Sequence, residues 1–200
     1  MTQRLVVAIS GASGALCGIR ALELLRLVPG LEVHLVLSQA AAATIALETD
    51  YHVEQVAVLA DVVHDNANVG AAIASGSFRT LGMIVAPCSI KSLAAIAHSF
   101  STDLLSRAGD VCLKERRPLV LMVRETPLHR GHLELMQRAA MLGAIIAPPV
   151  PAFYKRPHSI LDMVDDSVRR ALGFFGLDLP GAGDGWSSEQ GAAAGRILKA

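Results

Sequence analysis

The stretch Arg4-Leu-Val-Val-Ala-Ile-Ser-Gly-Ala-Ser-Gly14 decides the fold of this 200-residue chain. Leu5 to Ile9 is a short apolar run, which predicts a buried strand. The glycines that follow predict a tight turn, and Ala15 opens a segment with helical spacing. Arg4 and the apolar run also resemble the start of a signal peptide, but the glycines break the run early and no clear cleavage site follows. We therefore predict a strand, a glycine turn and a helix.

The alternation of strand and helix continues along the chain. Residues 50–80 are ambiguous, with one candidate strand at Val62-Val63. Apolar runs predict strands at Leu5–Ile9, Glu32–Leu37, Met83–Ala86 (ended by Pro87), Leu119–Val123 and Ala144–Ala147. Helical spacing and capping residues predict helices at Ala15–Leu27, Ser38–Glu48, Ser89–Ala97, Asp103–Arg116, His129–Met141 and from Ser159 through Arg169 and Arg170.

Strands that are apolar on both faces and alternate with helices indicate a parallel sheet covered on both sides. The predicted fold class is α/β: an open three-layer sandwich with a mostly parallel, flavodoxin- or Rossmann-like sheet. Such sheets bind ligands beyond the carboxyl ends of the strands, where the strand order switches. After about Pro180 the composition changes to Gly, Ala and Ser, with Trp186 as the one large aromatic group. We interpret residues 1–180 as the α/β domain and residues 181–200 as a tail that is flexible or docks on a neighbouring subunit.

Composition and charge exclude several classes of protein. Hydrophobic residues make up 52% of the chain and charged residues 18%, which excludes a disordered chain. The formal net charge of zero argues against a strongly basic nucleic-acid binder. No segment is typical of a membrane span. Three cysteines without a C-x-x-C pair argue against a disulfide framework or a zinc site, so the cytoplasm is the expected location. The mean hydropathy of +0.44 suggests that apolar surface is buried between subunits.

Polar residues follow four of the predicted strands. The turn Ser10–Gly14 precedes a helix, whose free N–H groups attract an anion, although such a turn is equally typical of tight strand–helix packing. Ser38 and Ser89 stand at equivalent places and could bond a phosphate or simply cap helices. Arg124 could hold a phosphate and Glu125 could move a proton, or the two could form a strand-end salt bridge.

Further charged residues have both a functional and a structural interpretation. Glu48 is a second carboxylate, or a solvated helix end. Arg107 and the run Lys114–Arg117 could hold a second phosphate, although cations near a helix C-terminus also favour the helix dipole. Arg170 has a candidate partner in Asp166, four residues earlier on the same helix.

Two aromatic features also have structural explanations. Tyr154 follows three prolines and could simply be a packed aromatic side chain. His129 and His132 lie three residues apart on a predicted helix. Two histidines without a third ligand are more typical of a surface than of a metal site, so no metal is predicted.

Eight strings of the sequence share their order and spacing with one family. They are Ser10-Gly-Ala-Ser-Gly-Ala15, Glu48-Thr-Asp50, Pro87-Cys-Ser89, Leu105-Ser-Arg-Ala108, Asp110-Val-Cys-Leu-Lys-Glu-Arg-Arg-Pro118, Arg124-Glu-Thr-Pro-Leu128, Pro151-Ala-Phe-Tyr154 and Asp162-Met-Val-Asp165. The strings Lys-Glu-Arg-Arg, Arg-Glu-Thr-Pro-Leu and Pro-Ala-Phe-Tyr are specific. Over about residues 4–180, the chain resembles the flavin prenyltransferase family, called UbiX, which is one of the flavin-binding HFCD-like flavoprotein families.

The resemblance implies a metal-independent prenyltransferase. Its members join a dimethylallyl group from dimethylallyl monophosphate to N5 and C6 of reduced FMN. The resemblance also implies a homo-oligomer, expected to be a dodecamer, and a UbiD-type decarboxylase that receives the prenylated FMN. No nucleic acid and no membrane are expected as partners. Residues 1–180 would then be the flavin-binding domain.

The resemblance further implies roles for individual residues. FMN would be held by Gly11, Ala12, Ser13, Ser38, Ser89, Ile90, Lys91, Ser92 and Arg124. The prenyl phosphate would be bound by Tyr154 and Arg170, with Arg107 and Lys114 nearby. The catalytic residues would be Glu125 as first choice for proton transfer, Glu48 and Lys114. The ring of Tyr154 or of Trp186 could stabilise an allylic cation.

The chain departs from the family pattern at three places. The family commonly has Gly and Asn in the segment that here is His98–Asp103, so Asp103 adds a negative charge near the site. Val123 stands where a proline is common, and the tail that contains Trp186 is rich in Gly and Ala. These departures bear on donor preference and rate more than on the fold.

Two other functions stay open at this point. An FMN-dependent cysteine decarboxylase of the phosphopantothenoylcysteine type has a similar sheet, but carries a Pro-Ala-Ser-Ala-Asn-Thr-like string where this chain has Pro87–Ser92. That group also relies on a histidine shortly before the strand that leads into this string, and no histidine lies between Asp65 and Ala86. A non-catalytic FMN-binding subunit would need the flavin turns but not Glu125, Lys114, Tyr154 and Arg170.

Overall fold

The computed structural model describes residues 2–179 as alternating strands and helices. The strands are β1 (Gln3–Ile9), β2 (Leu31–Leu37), β3 (Val62–His64), β4 (Gly82–Cys88), β5 (Leu119–Val123) and β6 (Ile145–Ile146). The helices are α1 (Ala15–Leu25), α2 (Gln39–Glu48), α3 (Val53–Ala57), α4 (Ile90–Ala97), α5 (Leu104–Lys114), α6 (Arg130–Met141) and α7 (Ile160–Leu172). Short 3₁₀ turns occupy Ala72–Ala74, Phe153–Lys155 and Gly173–Phe175. The tail predicted at 181–200, with Trp186, lies outside the described residues.

The described strands form one parallel sheet in the order β3-β2-β1-β4-β5-β6. The chain runs outward from β1 to β3 and then returns to add β4 on the other side of β1. β1 pairs with β2 from Gln3↔Leu31 to Ile9↔Leu37, but with β4 only as far as Ala8↔Val85. Because the strand order reverses between β1 and β4, a crevice opens beyond their carboxyl ends.

Helices cover both faces of the sheet, which explains why the strands are apolar along their whole length. In β1, Leu5, Val7 and Ile9 belong to one core, and Val6 and Ala8 belong to the other. Helices α1, α2 and α7 pack against the first core, and α4, α5 and α6 against the second. The predicted three-layer α/β sandwich is therefore confirmed.

The strand predicted to end at Ala86 continues through Cys88. The peptide bond between Ala86 and Pro87 is cis, and the pairing of β4 with β5 shifts register between Val85 and Cys88. Proline has no N–H to donate to a ladder, and the register shift gives it a position where none is required. The prediction that Pro87 ends the strand was therefore wrong.

The ambiguous region contains three short elements, which are α3, β3 and the 3₁₀ turn Ala72–Ala74. The candidate strand at Val62-Val63 is confirmed as part of β3, which lies at the edge of the sheet formed by the described strands and pairs with β2. Three residues are too few for a clear hydrophobic pattern, which explains the weak signal. Elsewhere the predicted boundaries differ slightly: α1 ends at Leu25, and His129 is the N-cap of α6.

Candidate active site

Polar turns that follow β1, β2, β4 and β5 meet at the carboxyl edge of the sheet. The turn after β1 packs directly on the start of α2, since a Cβ added to Gly11 would lie 2.2 Å from the Cβ of Ala40. Ser10 joins β1 to β4 beyond their last paired residues. Its Oγ donates to the carbonyl oxygen of Pro87 at 2.8 Å and accepts from the N–H of Ser89 at 2.7 Å. Hydrogen bonds therefore fix the floor of the crevice.

Ser38 and Ser89 cap the helices that begin at this edge. Ser38 Oγ accepts from the N–H of Ala41 at 3.1 Å, and Ser89 Oγ accepts from the N–H of Ser92 at 3.3 Å. The capping interpretation of both serines is therefore correct. A side-chain cap satisfies one of the N–H groups in the first turn of a helix, so other N–H groups of α2 and α4 stay directed at the crevice.

Glu48, at the end of α2, caps the N-terminus of α1. Its Oε2 accepts from the N–H groups of Gly14 at 2.7 Å and Ala15 at 3.2 Å. Burial alone would raise the pKa of Glu48, but hydrogen bonds from Ser13, Gly14 and Ala15 and the charge of Arg124 outweigh it and hold the pKa below its ordinary value. Glu48 is therefore not simply a solvated helix end. The N–H groups at the start of α1, which were predicted to attract an anion, therefore bind the carboxylate of Glu48.

Arg124 and Glu125 follow β5 at the same edge, and both are exposed. The N–H of Arg124 donates to the carbonyl oxygen of Cys88 at 3.1 Å, which holds this segment beside the end of β4. Glu125 Oε1 accepts from the N–H of Thr126 at 2.9 Å. A carboxylate that transfers protons works best when it is partly desolvated. In the single chain Glu125 is exposed, so a bound substrate or a second copy would have to desolvate it.

Tyr154 and Arg170 line one open groove of about 1420 Å³ between α7 and the segment that follows β6. Tyr154 is half-exposed, and Arg170 is exposed. Asp166, the partner that helical spacing predicted for Arg170, instead forms an ion pair with Lys155. The structural interpretation of Arg170 as half of an intrahelical pair was therefore wrong.

The last turn of α7, with Arg170, points away from the carboxyl edge. Phe175 follows this helix, and a Cβ added to Gly82 at the start of β4 would lie 2.9 Å from the ring of Phe175. The start of a parallel strand marks the amino edge of the sheet. The structure therefore does not bring Arg170 to the flavin turns of its own chain.

Arg107 and Lys114 lie on α5, which runs from the carboxyl edge toward the amino edge. Its 11 residues span about 16 Å at about 1.5 Å per residue. Arg107 pairs with Asp110 at 3.0 Å, and Lys114 pairs with Glu115. Lys114 lies in the last helical turn, as the dipole interpretation predicts. Within one chain, Lys114 is therefore far from Arg124 and Glu125.

Two residues noted in the sequence are helix caps. Asp103 Oδ1 accepts from the N–H of Ser106 at 2.9 Å and caps α5, so the charge added at this position stabilises a helix N-terminus. His129 Nδ1 accepts from the N–H of Gly131 at 3.0 Å and caps α6. Within residues 2–179, no cluster of three or more His, Cys, Asp or Glu side chains could hold a metal ion. No helix in that same range is long and apolar enough to cross a membrane.

Sequence reasoning missed a network of polar and charged side chains on β1, β2 and β3. Arg4 Nε donates to Glu32 Oε1 at 2.6 Å, and the same oxygen lies 2.8 Å from His34 Nε2. His34 Nδ1 lies 2.9 Å from His64 Nε2, and burial, together with His34, lowers the pKa of His64. The feature of the sequence that could have revealed this network is the presence of Glu32 and His34 within the otherwise apolar strand β2. The network runs from Arg4 and Glu32 near the amino ends of β1 and β2 to His64, the last residue of β3.

Comparison with known proteins decides the family. A model of the flavoprotein family matches residues 1–169. The flavin prenyltransferase UbiX of Escherichia coli K12 is 58% identical over 178 residues, which cover 89% of this chain and 94% of that protein. The chain belongs to the UbiX flavin prenyltransferase family.

Two solved UbiX-type structures share the fold. AnUbiX in complex with FMN and dimethylallyl pyrophosphate has a TM-score of 0.89 at 51% identity and covers 94% of this chain and 100% of its own. A dodecameric FMN-dependent UbiX-like decarboxylase from Escherichia coli O157:H7 has a TM-score of 0.89 at 47% identity and covers 92% of this chain and 100% of its own. The family resemblance drawn from the eight strings is therefore confirmed, and the UbiX family is favoured over the cysteine decarboxylases.

Proposed function

We propose that this chain transfers a dimethylallyl group from dimethylallyl monophosphate to N5 and C6 of reduced FMN without a metal ion. The prenylated FMN would serve a UbiD-type decarboxylase. The observation that carries the proposal is the carboxyl-edge crevice at the switch between β1 and β4, in a chain 58% identical to a flavin prenyltransferase. When bound, FMN supplies the nucleophilic ring atoms.

The residues around the crevice fit a flavin phosphate ester. Helices α2 and α4 direct N–H groups and partial positive charge to this edge, and Arg124 adds a full positive charge. Gly11 lets the turn after β1 pack against Ala40, which places the main chain of this turn at the edge of the crevice. The residues that would hold FMN are those predicted from the sequence: Gly11, Ala12, Ser13, Ser38, Ser89, Ile90, Lys91, Ser92 and Arg124.

The charged side chains fit the bond changes of prenyl transfer. Breaking the allylic C–O bond leaves the electron pair on the phosphate and positive charge on the allyl group. Arg170, together with Arg107 and Lys114, would stabilise the phosphate as its negative charge grows. The ring of Tyr154 would stabilise the allyl cation. Glu125 would carry the proton that leaves C6 at ring closure, with Glu48 as the second carboxylate.

We further propose that a neighbouring copy completes the site. Arg170 and Lys114 lie toward the amino edge of their own chain, whereas Arg124 and Glu125 lie at the carboxyl edge. A homo-oligomer, a dodecamer as in the UbiX-like relative, would bring both sets together and exclude water from the cation. Its interfaces would cover large apolar side chains that are exposed in the single chain, among them Leu47, Phe100, Leu133, Met141, Val150 and Phe153.

A cytoplasmic location agrees with the state of the cysteines. Cys17, Cys88 and Cys112 are all free and buried. A reducing compartment keeps thiols in this state. We therefore propose the cytoplasm as the site of the reaction.

The mass of the released flavin tests the proposed function. The purified protein is mixed under anaerobic conditions with FMN, a reductant and dimethylallyl monophosphate, and then denatured. We expect a flavin that is heavier by one C5 prenyl unit. Unmodified FMN with this donor, and with the pyrophosphate in a parallel reaction, would contradict the proposal.

Two adjacent residues provide a matched pair of variants. Glu125→Gln should keep FMN affinity and lose most product formation, because it removes a proton-transfer group and leaves the phosphate contacts in place. Arg124→Ala should weaken FMN binding itself, because it removes a phosphate contact. Flavin fluorescence titration and single-turnover product mass measure the two effects. Product formation by Glu125→Gln at the parent rate, or an unchanged flavin affinity of Arg124→Ala, would refute the respective role.

A further inference from the structure

Arg20 on α1 holds Asp165 on α7 through two parallel hydrogen bonds. Nε lies 2.7 Å from Oδ1, and Nη2 lies 2.8 Å from Oδ2. Both side chains are only 23% exposed, so solvent screens this pair less than an ordinary surface pair. A bidentate arginine–carboxylate pair fixes orientation as well as distance. It therefore sets how α7 is rotated and shifted against α1.

The guanidinium of Arg20 is itself held in place. Its remaining Nη1 pairs with Glu23, one turn further along α1. Glu23 Oε1 also accepts from the hydroxyl of Tyr51 at 2.7 Å. Tyr51 lies three residues after Glu48, whose carboxylate caps the N-terminus of α1. One arginine thus ties α1, α7 and the segment after α2 together.

Arg170 lies on α7, five residues after Asp165. Five residues along an α-helix correspond to a rotation of about 140° and a rise of about 7.5 Å. Asp165 is turned toward α1, so Arg170 points away from α1, which agrees with its exposed side chain. The apolar contacts of Val168 and Ala171 set the depth of α7 on the core, but such contacts are not directional.

We propose that Arg20 is a positioning residue for the prenyl-phosphate half of the site. It touches no substrate. Through Asp165 it fixes the angle at which α7 presents Arg170 to a neighbouring copy. This role explains the Asp162-Met-Val-Asp165 string, in which Asp162 forms a capping box with Ser159, the N-cap of α7, and Asp165 accepts from Arg20. The inference rests on the proposed function, in which Arg170 binds the donor phosphate.

The Arg20→Lys variant tests this role, because lysine keeps the charge but cannot form two parallel bonds. A displacement of about 1 Å at a reacting group lowers rates by up to about 100-fold. We expect Arg20→Lys to raise the KM for dimethylallyl monophosphate about tenfold, with FMN affinity within about twofold of the parent. Asp165→Asn should give a similar change, and the double variant should be little worse than either single variant because both break one contact.

Arg130→Lys is the matched control, since Arg130 is 92% exposed and pairs with Glu134 on the surface of α6. Oligomer size by light scattering and the thermal unfolding midpoint show that each variant is folded and assembled. If Arg20→Lys and Asp165→Asn are folded and assembled and keep the parental donor KM, the inference is overturned. Equal losses of donor and flavin affinity would also overturn it, because they would indicate a general structural role.

Donor binding without turnover separates the inference from the proposed function. With oxidised FMN bound, the Kd for dimethylallyl monophosphate is measured by calorimetry on the parent and the two variants. A parent that binds the donor but makes no prenylated flavin would refute the transferase activity, and the positioning role would then be supported by a tenfold weaker Kd in the variants. A parent that does not bind the donor at all would overturn both.

Discussion

Replacing Glu48 with glutamine removes the charge at the N-terminus of α1 but keeps the size of the side chain and one acceptor oxygen. In the structure the carboxylate accepts from Gly14 at 2.7 Å and from Ala15 at 3.2 Å. A shielded hydrogen bond to a charged group contributes about 1.5–3 kcal/mol, and a helix N-cap contributes about 1 kcal/mol. Because Glu48 is exposed, solvent screening puts the expected loss of unfolding free energy at about 1 kcal/mol at pH 7.

The loss should depend on pH in a defined direction. The folded state lowers the pKa of Glu48 from its ordinary value of 4.5. A carboxylate whose folded pKa is lowered contributes stability that is fully present above its unfolded pKa and is lost as the pH falls through its folded pKa. The difference between the parent and Glu48→Gln should therefore be largest at neutral pH and shrink below about pH 4.

Urea unfolding of the flavin-free protein, followed by circular dichroism at pH 7 and at about pH 3.5, measures this difference. Glu134→Gln is the control, because this carboxylate lies on the surface of α6 with a 59% exposed side chain. Glu134→Gln should change the free energy of unfolding by no more than about 0.5 kcal/mol at both pH values. Equal stabilities of the parent and Glu48→Gln at pH 7 would refute the charged cap, as would a difference that stays constant at low pH.

Two further predictions concern the packing of the core. Gly18→Ala should destabilise the protein by about 1–3 kcal/mol, because the added Cβ would lie 2.3 Å from the carbonyl oxygen of Ala86 and 2.6 Å from the side chain of Ile9; an unchanged thermal midpoint would contradict this. Burial raises the pKa of Cys88 and of Cys112 to about 12, so neither thiol should react with an aromatic disulfide reagent at pH 8 until the protein is denatured. Rapid labelling of the native protein would show that the core opens.

Much of the fold was predictable because its signals are local. The predicted span Leu119–Val123 is the observed β5, since five consecutive apolar residues between Pro118 and Arg124 are typical of a buried strand. The capping serines of α2 and α4 were predictable because an N-cap acts on amides only two or three residues away. Pro87 misled the prediction, because a neighbouring strand can shift its register to accept a proline and the sequence of β4 alone does not show this.

The candidate site was less predictable because its contacts join distant parts of the chain. Arg20 and Asp165 are 145 positions apart, and neither has a local pattern that points to the other. Asp166 lies one helical turn before Arg170, but it forms its ion pair with Lys155, which belongs to another segment. The sequence therefore identified the charged residues and their neighbours along the helix. Only the folded structure shows which of these residues form ion pairs with each other.

The carboxylate of Glu48 on the glycine turn also bears on how the crevice discriminates among anions. A helix start with free N–H groups would collect inorganic phosphate and other small anions from solution, whether or not a nucleotide is present. The start of α1 already holds a negative charge, so it repels such competitors. Arg124 and the first turns of α2 and α4 are the groups that attract anions at this edge. A ligand gains affinity there only if it reaches those groups, which favours a large phosphate ester over the simple ion.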